Sequence, residues 1–453
     1  MNNSSVSATA LRLPKALSAP QDDLWDRLLI VAIFAGIIGL AWIAFRSSLF
    51  DPILSMARRG EWGALMLRPT VLWLAMGFTL VVMRTVLWLW YSPAAPASDG
   101  EARSLSVIIP AYNEGAMVEK SIESAAVADY PHDRLEIIVI DDGSRDDTWK
   151  YILRAAARYP ALVTPVRLER NVGKRGALAE GFRRARGDVF VTMDSDSIID
   201  RGALRALAGP LRDARVGAVA GKVVALNRRA GLLPRMLHVR FVLAFDFLRS
   251  AQSVFRTVYC CPGALAAYRA TAVREVMGRW ENQRFLGAHC TYGEDRALTN
   301  DLFAAGYDAV YQRSAVVHTL VPESYVRLCR MFLRWDRSFV REEIRFSRIV
   351  WTRPLRYRLA ALFETTVTNL RYPVGYVSIG LWIGYMMKDP STVMRMLVAI
   401  GAVSTVYTLY YLRSERSWDF FYGVLYAYFS FFALTWIFPY AVLTLRARGW
   451  LTR

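Results

Sequence analysis

The sequence predicts an α/β domain, with a mostly parallel, doubly wound sheet, inserted between N-terminal and C-terminal transmembrane helices. Apolar blocks long enough to cross a bilayer lie near both ends of the 453-residue chain. Between them, short runs of β-branched residues alternate with helical patterns. The composition agrees with a membrane protein that carries a water-exposed domain, because 54% of the residues are hydrophobic and the mean hydropathy is +0.21.

The chain is strongly basic, with a formal net charge of +18. Because the arginines occur beside apolar blocks and on amphipathic helices, lipid headgroups and the phosphates of a substrate explain them better than nucleic acid does. We therefore expect a lipid bilayer and a phosphorylated ligand as partners, and no nucleic acid. The cysteines lack zinc-site or disulfide spacing and are expected to be free thiols. They are Cys260, Cys261, Cys290 and Cys329.

The N-terminal region is predicted to hold two transmembrane helices. Residues 1–27 should form a cytosolic tail without a cleaved signal peptide. The two helices fall within residues 28–91, over Leu28–Phe45 and Thr70–Tyr91. Arg84 lies inside the second helix, where it either reaches towards the nearer interface or lines a polar path, and the first interpretation is favoured.

The central domain is expected over residues 100–325. Its strands are predicted from buried β-branched runs, and the helices between them from a helical apolar period. Because helices join consecutive strands, the sheet should be mostly parallel, and ligands should bind at the carboxyl ends of the strands. The predicted strands are Leu105–Ile109, Glu136–Ile140, Val163–Leu168, Val189–Met193 and Val216–Val224.

Amphipathic interface helices are expected beside this domain, within residues 326–358. The pattern over Leu328–Arg348 places aromatic residues on one side and arginines on the other. It is typical of a helix in a membrane interface, and the alternative is a domain helix with a solvated charged face. Residues 359–445 then contain three apolar blocks, whose number of crossings stays open. Polar residues in the first block should face a bundle interior or water; they are Glu364, Thr365, Thr368, Asn369 and Arg371.

Two aspartates, Asp194 and Asp196, directly follow the predicted strand Val189–Met193. Carboxylates at the end of a buried strand suit a hard cation, Mg²⁺ or Mn²⁺, which completes its shell with substrate phosphates. The alternative for a lone Asp-x-Asp is a cap of the following helix, Arg201–Arg212. The other motifs favour the metal site.

Three other clusters lie where strands meet loops. Tyr112 and Glu114 follow the first strand and Asp141 ends the second, so their side chains can bind a base or a ribose. Lys174 lies in a glycine-flanked basic turn, residues 171–176, which opens a helix and suits a diphosphate. Each cluster alone is weak, since such turns are common. Their order and spacing make the set specific.

A second acidic pair, Glu294 and Asp295, begins a helix after Gly293. For Glu294 a helix cap is the favoured role, with acceptor binding as the other. For Asp295 we predict catalysis, as the base that takes the proton of an acceptor hydroxyl. Attack opposite the leaving group in one step would invert the reacting carbon.

These motifs resemble those of the processive family-2 glycosyltransferases, which include cellulose, chitin and hyaluronan synthases. The resemblance is strongest to hyaluronan synthases and the rhizobial chitin-oligosaccharide synthase, and it covers residues 104–453. The matching segments are Asp141–Ser144, Asp194–Asp196, Cys260–Gly263, Tyr268–Arg269, Gly293–Thr299, Arg334–Trp335 and Trp450–Arg453.

The resemblance implies a GT-A-like fold and an inverting enzyme that polymerises UDP-sugars and translocates the growing polysaccharide. The donor would be UDP-N-acetylglucosamine, with UDP-glucuronic acid as a second donor. The resemblance also implies a multi-pass protein of the plasma (inner) membrane with a cytosolic catalytic domain. It assigns Tyr112, Glu114, Asp141, Lys174 and Arg334 to the uridine diphosphate, Asp194 and Asp196 to the metal, Asp295 to the base and Trp335 to the acceptor sugar.

Residues 446–453 would form a gating element that closes over the nucleotide through Trp450, Thr452 and Arg453. One position departs from the family, because Met331 stands where the family has glutamine, and a thioether cannot supply an amide's hydrogen bonds. This keeps a non-processive transferase that adds one sugar to a lipid carrier as an alternative. A non-catalytic export component is the third interpretation.

Overall fold

The computed structural model describes residues 24–46 and 50–447. The first helices precede the central domain and are α1 (Leu24–Arg46), α2 (Asp51–Arg58), α3 (Trp62–Met66) and α4 (Pro69–Trp90). The strands are β1 (Leu105–Ala111), β2 (Leu135–Asp141), β3 (Val163–Arg167), β4 (Val189–Met193), β5 (Ser197–Ile199), β6 (Val216–Ala225), β7 (Leu265–Arg269), β8 (Arg284–Phe285), β9 (Ala288–His289) and β10 (Asp308–Thr319).

Eight helices belong to the described part of the central domain, and five follow it. The first group is α5 (Met117–Ala126), α6 (Thr148–Arg158), α7 (Gly173–Arg184), α8 (Ala203–Ala208), α9 (Leu232–Val242), α10 (Leu248–Val254), α11 (Ala270–Glu281) and α12 (Glu294–Ala304). The second group is α13 (Tyr325–Ile349), α14 (Leu355–Lys388), α15 (Ser391–Glu415), α16 (Phe420–Phe429) and α17 (Ile437–Leu443).

The central sheet has eight strands in the order β3-β2-β1-β4-β7-β6-β10-β5. All five predicted strands are present. Strands β1 to β4 pair in parallel, as does β6 with β10, whereas β7 is antiparallel to both of its neighbours. The α/β fold class is confirmed, with a mixed sheet. The parallel pairs bring the carboxyl ends of β1, β2 and β4 to one edge.

Alternate residues of each strand point to opposite faces of the sheet, and an apolar cluster covers each face. Along β1, Val107 and Ile109 pack into one apolar cluster, and Ile108 packs into the other. This is why the strands read as continuous apolar runs rather than alternating ones. Polar residues of the predicted site therefore lie at the ends of the strands and in the loops that follow them.

Among the described residues, two helices are long and apolar enough to cross a membrane, Pro69–Trp90 and Ser391–Glu415. The pair Phe420–Leu434 and Ile437–Leu443, bent by 45°, is a third candidate. Val31–Arg46 is a shorter apolar helix by the same measure. The first predicted C-terminal block falls in a single helix, α14, that is interrupted by polar side chains.

The side chain of Arg84 is 12% exposed and turns to α14 rather than towards an interface, so the favoured interpretation of this residue is wrong. It donates to Glu364 of α14 at 3.0 Å and to Thr368 at 3.3 Å. Glu364 is only 2% exposed and needs this partner, since an unpaired buried carboxylate is costly. The polar residues of the first C-terminal block therefore serve in part to join α14 to α4.

The C-terminal helices are tied to the central domain by charged side chains. Lys222 of β6 pairs with Glu415, at the end of α15, at 2.7 Å. Arg235 of α9 donates to Tyr422 near the start of α16 at 3.1 Å. These contacts place the junction of α15 and α16 against the domain.

The arginine side of α13 is not uniformly solvated. Arg337 and Arg341 are each 4% exposed. Arg341 donates to the carbonyl of Tyr292 at 2.6 Å and pairs with Glu342 at 2.9 Å. Part of the face predicted to meet lipid headgroups or water therefore packs on the domain, because buried partners compensate its charges. Arg330 and Arg348 remain exposed.

Candidate active site

Two loops at the ends of β1 and β2 hold each other through hydrogen bonds. The backbone N–H of Asn113 donates to the Ser144 hydroxyl at 3.0 Å, and Asn113 accepts from the backbone of Arg145 at 2.9 Å. The backbone N–H of Glu114 donates to Thr148 at 2.8 Å. These bonds fix the backbone that carries two of the predicted nucleotide ligands, Tyr112 and Glu114.

Asp141 is the last residue of β2 and is fully buried. Its Oδ1 accepts from the backbone N–H of Ser144 at 3.0 Å, and its Oδ2 lies 3.2 Å from Nε of Arg167. A cavity of about 650 Å³ opens above these loops, a volume suited to a nucleotide. Its lining residues are Tyr112, Gly143, Ser144, Arg145, Arg167, Leu168, Glu169, Arg170 and Asn171.

The basic turn at the start of α7 does not offer its first amides to a diphosphate. The carboxylate of Asp142 accepts from the backbone N–H groups of Val172 at 2.7 Å and Gly173 at 3.0 Å. Burial raises the pKa of Asp142 to about 6, although these two donors act in the opposite direction. Arg175 is also turned away and donates to Gln283 at 2.8 Å. Lys174 is thus the residue by which this turn reaches the site.

Lys174 joins the two acidic motifs. Its ammonium contacts the carboxylate of Asp194 and lies 3.4 Å from that of Glu294. Burial opposes the charged form, but these carboxylates raise the pKa of Lys174 well above its usual range. A Cβ at Gly263 would lie 2.7 Å from this ammonium, so a side chain there would displace the end of Lys174 from its present position. The sequence-predicted residues 174, 194 and 294 therefore meet in one cluster.

Asp196 follows Asp194 across the short loop into β5. Because β5 pairs with β10, Thr319 lies beside it and donates to Asp196 at 3.1 Å. Burial, and then the charges of Asp194 and Glu114, raise the pKa of Asp196 to about 7. Helix α8 begins after Gly202 without a side-chain cap, so the alternative role of the two aspartates as helix caps is wrong.

The two aspartates fit a hard divalent cation. Crowded, desolvated carboxylates are stabilised by a positive charge, and the ammonium of Lys174 supplies one at Asp194. No group of three or more His, Cys, Asp or Glu side chains suited to a metal occurs in the described ranges. A hard cation held by one or two carboxylates usually completes its shell with water and substrate phosphates, as expected for Asp194 and Asp196.

Asp295 lies in the first turn of α12, next to this cluster. Its Oδ1 accepts from the backbone N–H of Arg296 at 2.7 Å. Burial, and then the adjacent Glu294, raise the pKa of Asp295, which suits a general base better than an ordinary surface carboxylate. Gly293 is the N-cap of α12, and the carboxylate of Glu294 accepts from its own backbone N–H in the first turn. The cap role of Glu294 stays a prediction beside its contact with Lys174.

Helix α13 brings the last predicted residues to the same region. The charge of Arg334 acts on buried Glu294 and, together with Lys174, holds the pKa of that carboxyl below its usual value against the effect of burial. Trp335 is 36% exposed, and its ring lies 6.0 Å from that of Phe241 and 5.6 Å from that of Phe332. Met331 is buried in the apolar core, where a thioether packs without a polar partner.

The chain returns to this site near its C-terminal end. Tyr292 donates to the carbonyl of Ala447 at 2.9 Å, and Arg337 donates to Thr444 at 2.8 Å. The predicted nucleotide ligands Trp450, Thr452 and Arg453 lie outside the described residues. Ala447, the last described residue before them, is bonded to Tyr292, which lies two residues before Glu294.

Three residues that complete the site were not assigned roles from the sequence: Gly263, Thr319 and Cys260. Gly263 and Cys260 belong to the Cys-Cys-Pro-Gly segment that carries part of the family resemblance. Thr319 lies in β10, a strand that was not predicted, and no sequence signal marks it. A nucleotide-sized cavity, two aspartates at a strand end and a buried carboxylate beside them are the features expected of a glycosyltransferase of the GT-A type.

Comparison with known proteins agrees with this class. The family described as "Glycosyl transferase family 2" matches residues 106–277. An N-acetylglucosaminyltransferase of Azorhizobium caulinodans is 31% identical over 350 residues, which are 77% of this chain and 87% of that protein. A hyaluronan synthase of Streptococcus pyogenes is 31% identical over 356 residues, 77% of this chain and 83% of that protein. The chain belongs to glycosyltransferase family 2, in the group of these N-acetylglucosaminyltransferases and hyaluronan synthases.

A solved structure supports the fold. The mannosyltransferase PcManGT from Pyrobaculum calidifontis, in complex with GDP-Man and Mn²⁺, superimposes with a TM-score of 0.58 at 22% sequence identity. The match covers 80% of this chain and 96% of that one. It confirms the GT-A-like architecture predicted from the sequence.

Proposed function

We propose that the protein is a membrane-embedded, inverting and processive β-glycosyltransferase that polymerises UDP-N-acetylglucosamine and translocates the product. The product would be a chitin-like oligosaccharide, or hyaluronan if UDP-glucuronic acid is a second donor. The observation that carries the proposal is the convergence of Lys174, Asp194, Glu294 and Asp295 in one cluster. The names of the relatives support the sugar, and their similarity extends over most of both chains.

The donor would bind across the ends of β1, β2 and β4. In this proposal Tyr112, Glu114 and Asp141 hold the uridine, and Lys174 contacts the diphosphate together with Arg334. Asp194 and Asp196 would hold Mg²⁺ or Mn²⁺, which neutralises charge on the departing diphosphate. Lys174 can exchange its contact with Asp194 for one with a phosphate, because both partners are anionic oxygens.

Asp295 would remove the proton of the acceptor hydroxyl. A single displacement at the sugar carbon then breaks its bond to the diphosphate and forms the bond to the acceptor oxygen, so the configuration inverts. Trp335 would present its ring to the acceptor sugar, a contact typical of carbohydrate sites because sugar C–H groups pack on aromatic faces. Glu294 would help to position the acceptor through its contact with Lys174.

The catalytic domain would face the cytosol, with the chain passing several times through the plasma (inner) membrane. Support comes from the apolar helices on both sides of the domain and from the arginine-rich segments between them. A lipid bilayer, a UDP-sugar and a growing polysaccharide are then the partners, and no nucleic acid is required.

The test is to supply the purified full-length protein in lipid nanodiscs with single and paired UDP-sugars, with Mg²⁺ or Mn²⁺, and to measure UDP release and product size. UDP release with UDP-N-acetylglucosamine and a ladder of β-linked products is expected. No UDP release with any UDP-sugar would contradict the proposal.

A second candidate follows from Met331, which is buried in the core where the family has a glutamine. The enzyme would then add one sugar to a lipid carrier. A lipid-linked monosaccharide as the sole product of the same assay would decide for it.

A further inference from the structure

The thiol of Cys260 contacts the carboxylate of Asp295. Its Sγ donates to Oδ2 at 3.4 Å, which is a normal length for a hydrogen bond from sulfur. The other oxygen, Oδ1, accepts from the backbone N–H of Arg296 at 2.7 Å. Two donors therefore fix the plane of the carboxylate, and each oxygen retains a lone pair for an acceptor hydroxyl.

The loop that carries Cys260 is itself tied to α12. The backbone N–H of Cys261 donates to Oγ1 of Thr299 at 3.2 Å, and that hydroxyl donates to the carbonyl of Asp295 at 2.8 Å. On the other side, Arg249 donates to the carbonyl of Cys260 at 3.0 Å. These three bonds fix the backbone at Cys260 relative to Asp295, and this backbone positions the thiol.

The thiol remains a neutral donor at physiological pH. Burial, and then the negative charge of Asp295, raise the pKa of Cys260 well above its usual range. A thiol with this pKa is a poor nucleophile, so a covalent role for Cys260 is not favoured. Its chemistry is confined to donating a hydrogen bond.

We propose that Cys260 is a positioning residue for the catalytic base: its S–H bond orients the Asp295 carboxylate and stabilises its ionised form. This rests on the proposed function, in which Asp295 is the base. Because a donor to the charged form of a carboxylate favours that form, loss of the thiol should disfavour the ionised base. The charged and titratable groups that also act on Asp295 are Glu294, Arg296, Lys174, Cys261 and Tyr268.

The test is the pH profile of kcat/KM for UDP release by the full-length enzyme, for Cys260→Ala and Cys260→Ser. For Cys260→Ala we expect kcat to fall about tenfold, with the donor KM within about twofold of the wild type. The acid limb should move to higher pH by about half a unit to one unit, since the base loses a donor to its charged form. Cys260→Ser keeps a donor and should recover most of kcat and the wild-type limb.

Cys329→Ala is the control, because this thiol is buried in the apolar core, away from the groups that act on Asp295, and should leave the acid limb in place. UDP binding by calorimetry checks that each variant is folded. If Cys260→Ala does not bind UDP, Cys260→Val, which fills the space without a donor, takes its place in the comparison with Cys260→Ser.

The inference is overturned if the variant without a donor keeps the wild-type limb and kcat, or if serine recovers no more than alanine or valine. Asp295→Asn separates this failure from that of the proposed function. If Asp295→Asn is inactive and Cys260→Ala behaves like the wild type, only the role of the thiol is contradicted. If Asp295→Asn is active, the assignment of Asp295 as the base is contradicted.

Discussion

The two halves of the active site are stabilised by different interactions. At the donor side, the segments after β1, β2 and β3 are joined by bonds between side chains and backbone, such as those of Ser144, Thr148 and Asp142. At the acceptor side, α12 and α13 meet through buried charges, including Arg341 against the carbonyl of Tyr292 at 2.6 Å. Gly293 allows this approach.

The difference predicts how each half responds to substitution. A donor-side loop has several parallel bonds, so the loss of one should change affinity modestly. The acceptor side is held by buried charged groups, and displacing them should misplace the base, where an error of about 1 Å can cost about 10²-fold in rate. The proposed cation ligands, Asp194 and Asp196, lie between the two halves, so their loss should affect both donor binding and turnover.

The largest effect is expected for Asp196→Asn. Removing a carboxylate from the proposed cation site should lower kcat for UDP release about 10³-fold, because several kcal/mol of charge stabilisation are lost. The measurement is UDP release against Mn²⁺ concentration. Asp200→Asn is the control, since Asp200 is 53% exposed and pairs with His318 outside the site. Equal activity of both variants would contradict the role of Asp196.

The next effect is expected for Gly293→Ala. Its φ of +74° disfavours any side chain, and a Cβ would lie 1.9 Å from Oγ of Ser338 and 2.8 Å from Arg341. We expect kcat to fall about 10²-fold with UDP affinity retained, because the start of α12 must move. Gly306→Ala shares the backbone strain, at a φ of +89°, but a Cβ there meets nothing within 4 Å. A similar loss of kcat in both variants would show that backbone strain alone causes the loss, and that contact of the Cβ with Ser338 and Arg341 does not.

A smaller effect is expected for Trp335→Ala. Loss of the aromatic face should reduce polymer yield about tenfold and shorten the products, because a stacked ring contributes about 1 kcal/mol beyond its area. Product size on a gel is the measurement. Trp351→Ala, which removes a 59% exposed tryptophan just after α13, is the control. Unchanged product lengths for Trp335→Ala would remove Trp335 from the acceptor site.

The smallest effect is expected for Asp142→Asn at the donor side. The amide keeps one acceptor oxygen for the turn at Val172 and Gly173 but loses the second bond, so the donor KM should rise about fivefold with kcat unchanged. Steady-state kinetics measure this, with exposed Asp147→Asn as the control. A fall in kcat as large as that of Gly293→Ala would contradict the difference between the two sides.

The donor side could be predicted from the sequence because its residues follow strands that show a clear apolar pattern. Asp141, Asp194 and Asp196 are found at the edge where that pattern placed them. The β7 strand escaped prediction because its Leu-Ala-Ala-Tyr-Arg sequence has no β-branched residue, and pairing on both sides stabilises it instead.

The helices were harder to interpret, because burial of charge depends on partners that are distant in the chain. The sequence shows Arg84 and Arg341 only as polar positions on apolar or amphipathic helices. Their partners, Glu364 and Tyr292, are 280 and 49 residues away. Such a pair is stable only when the fold brings both groups together, so a periodic pattern predicts exposure where the structure has a buried contact.

The most direct measurement compares UDP binding and UDP release for Asp295→Asn in the full-length enzyme. With UDP-N-acetylglucosamine as the donor, we predict UDP affinity within about twofold of the wild type and turnover lower by about 10³-fold, the contribution expected of a general base. Wild-type turnover in a variant that binds UDP normally would contradict the assignment of the acceptor side, and with it the mechanism proposed for this site.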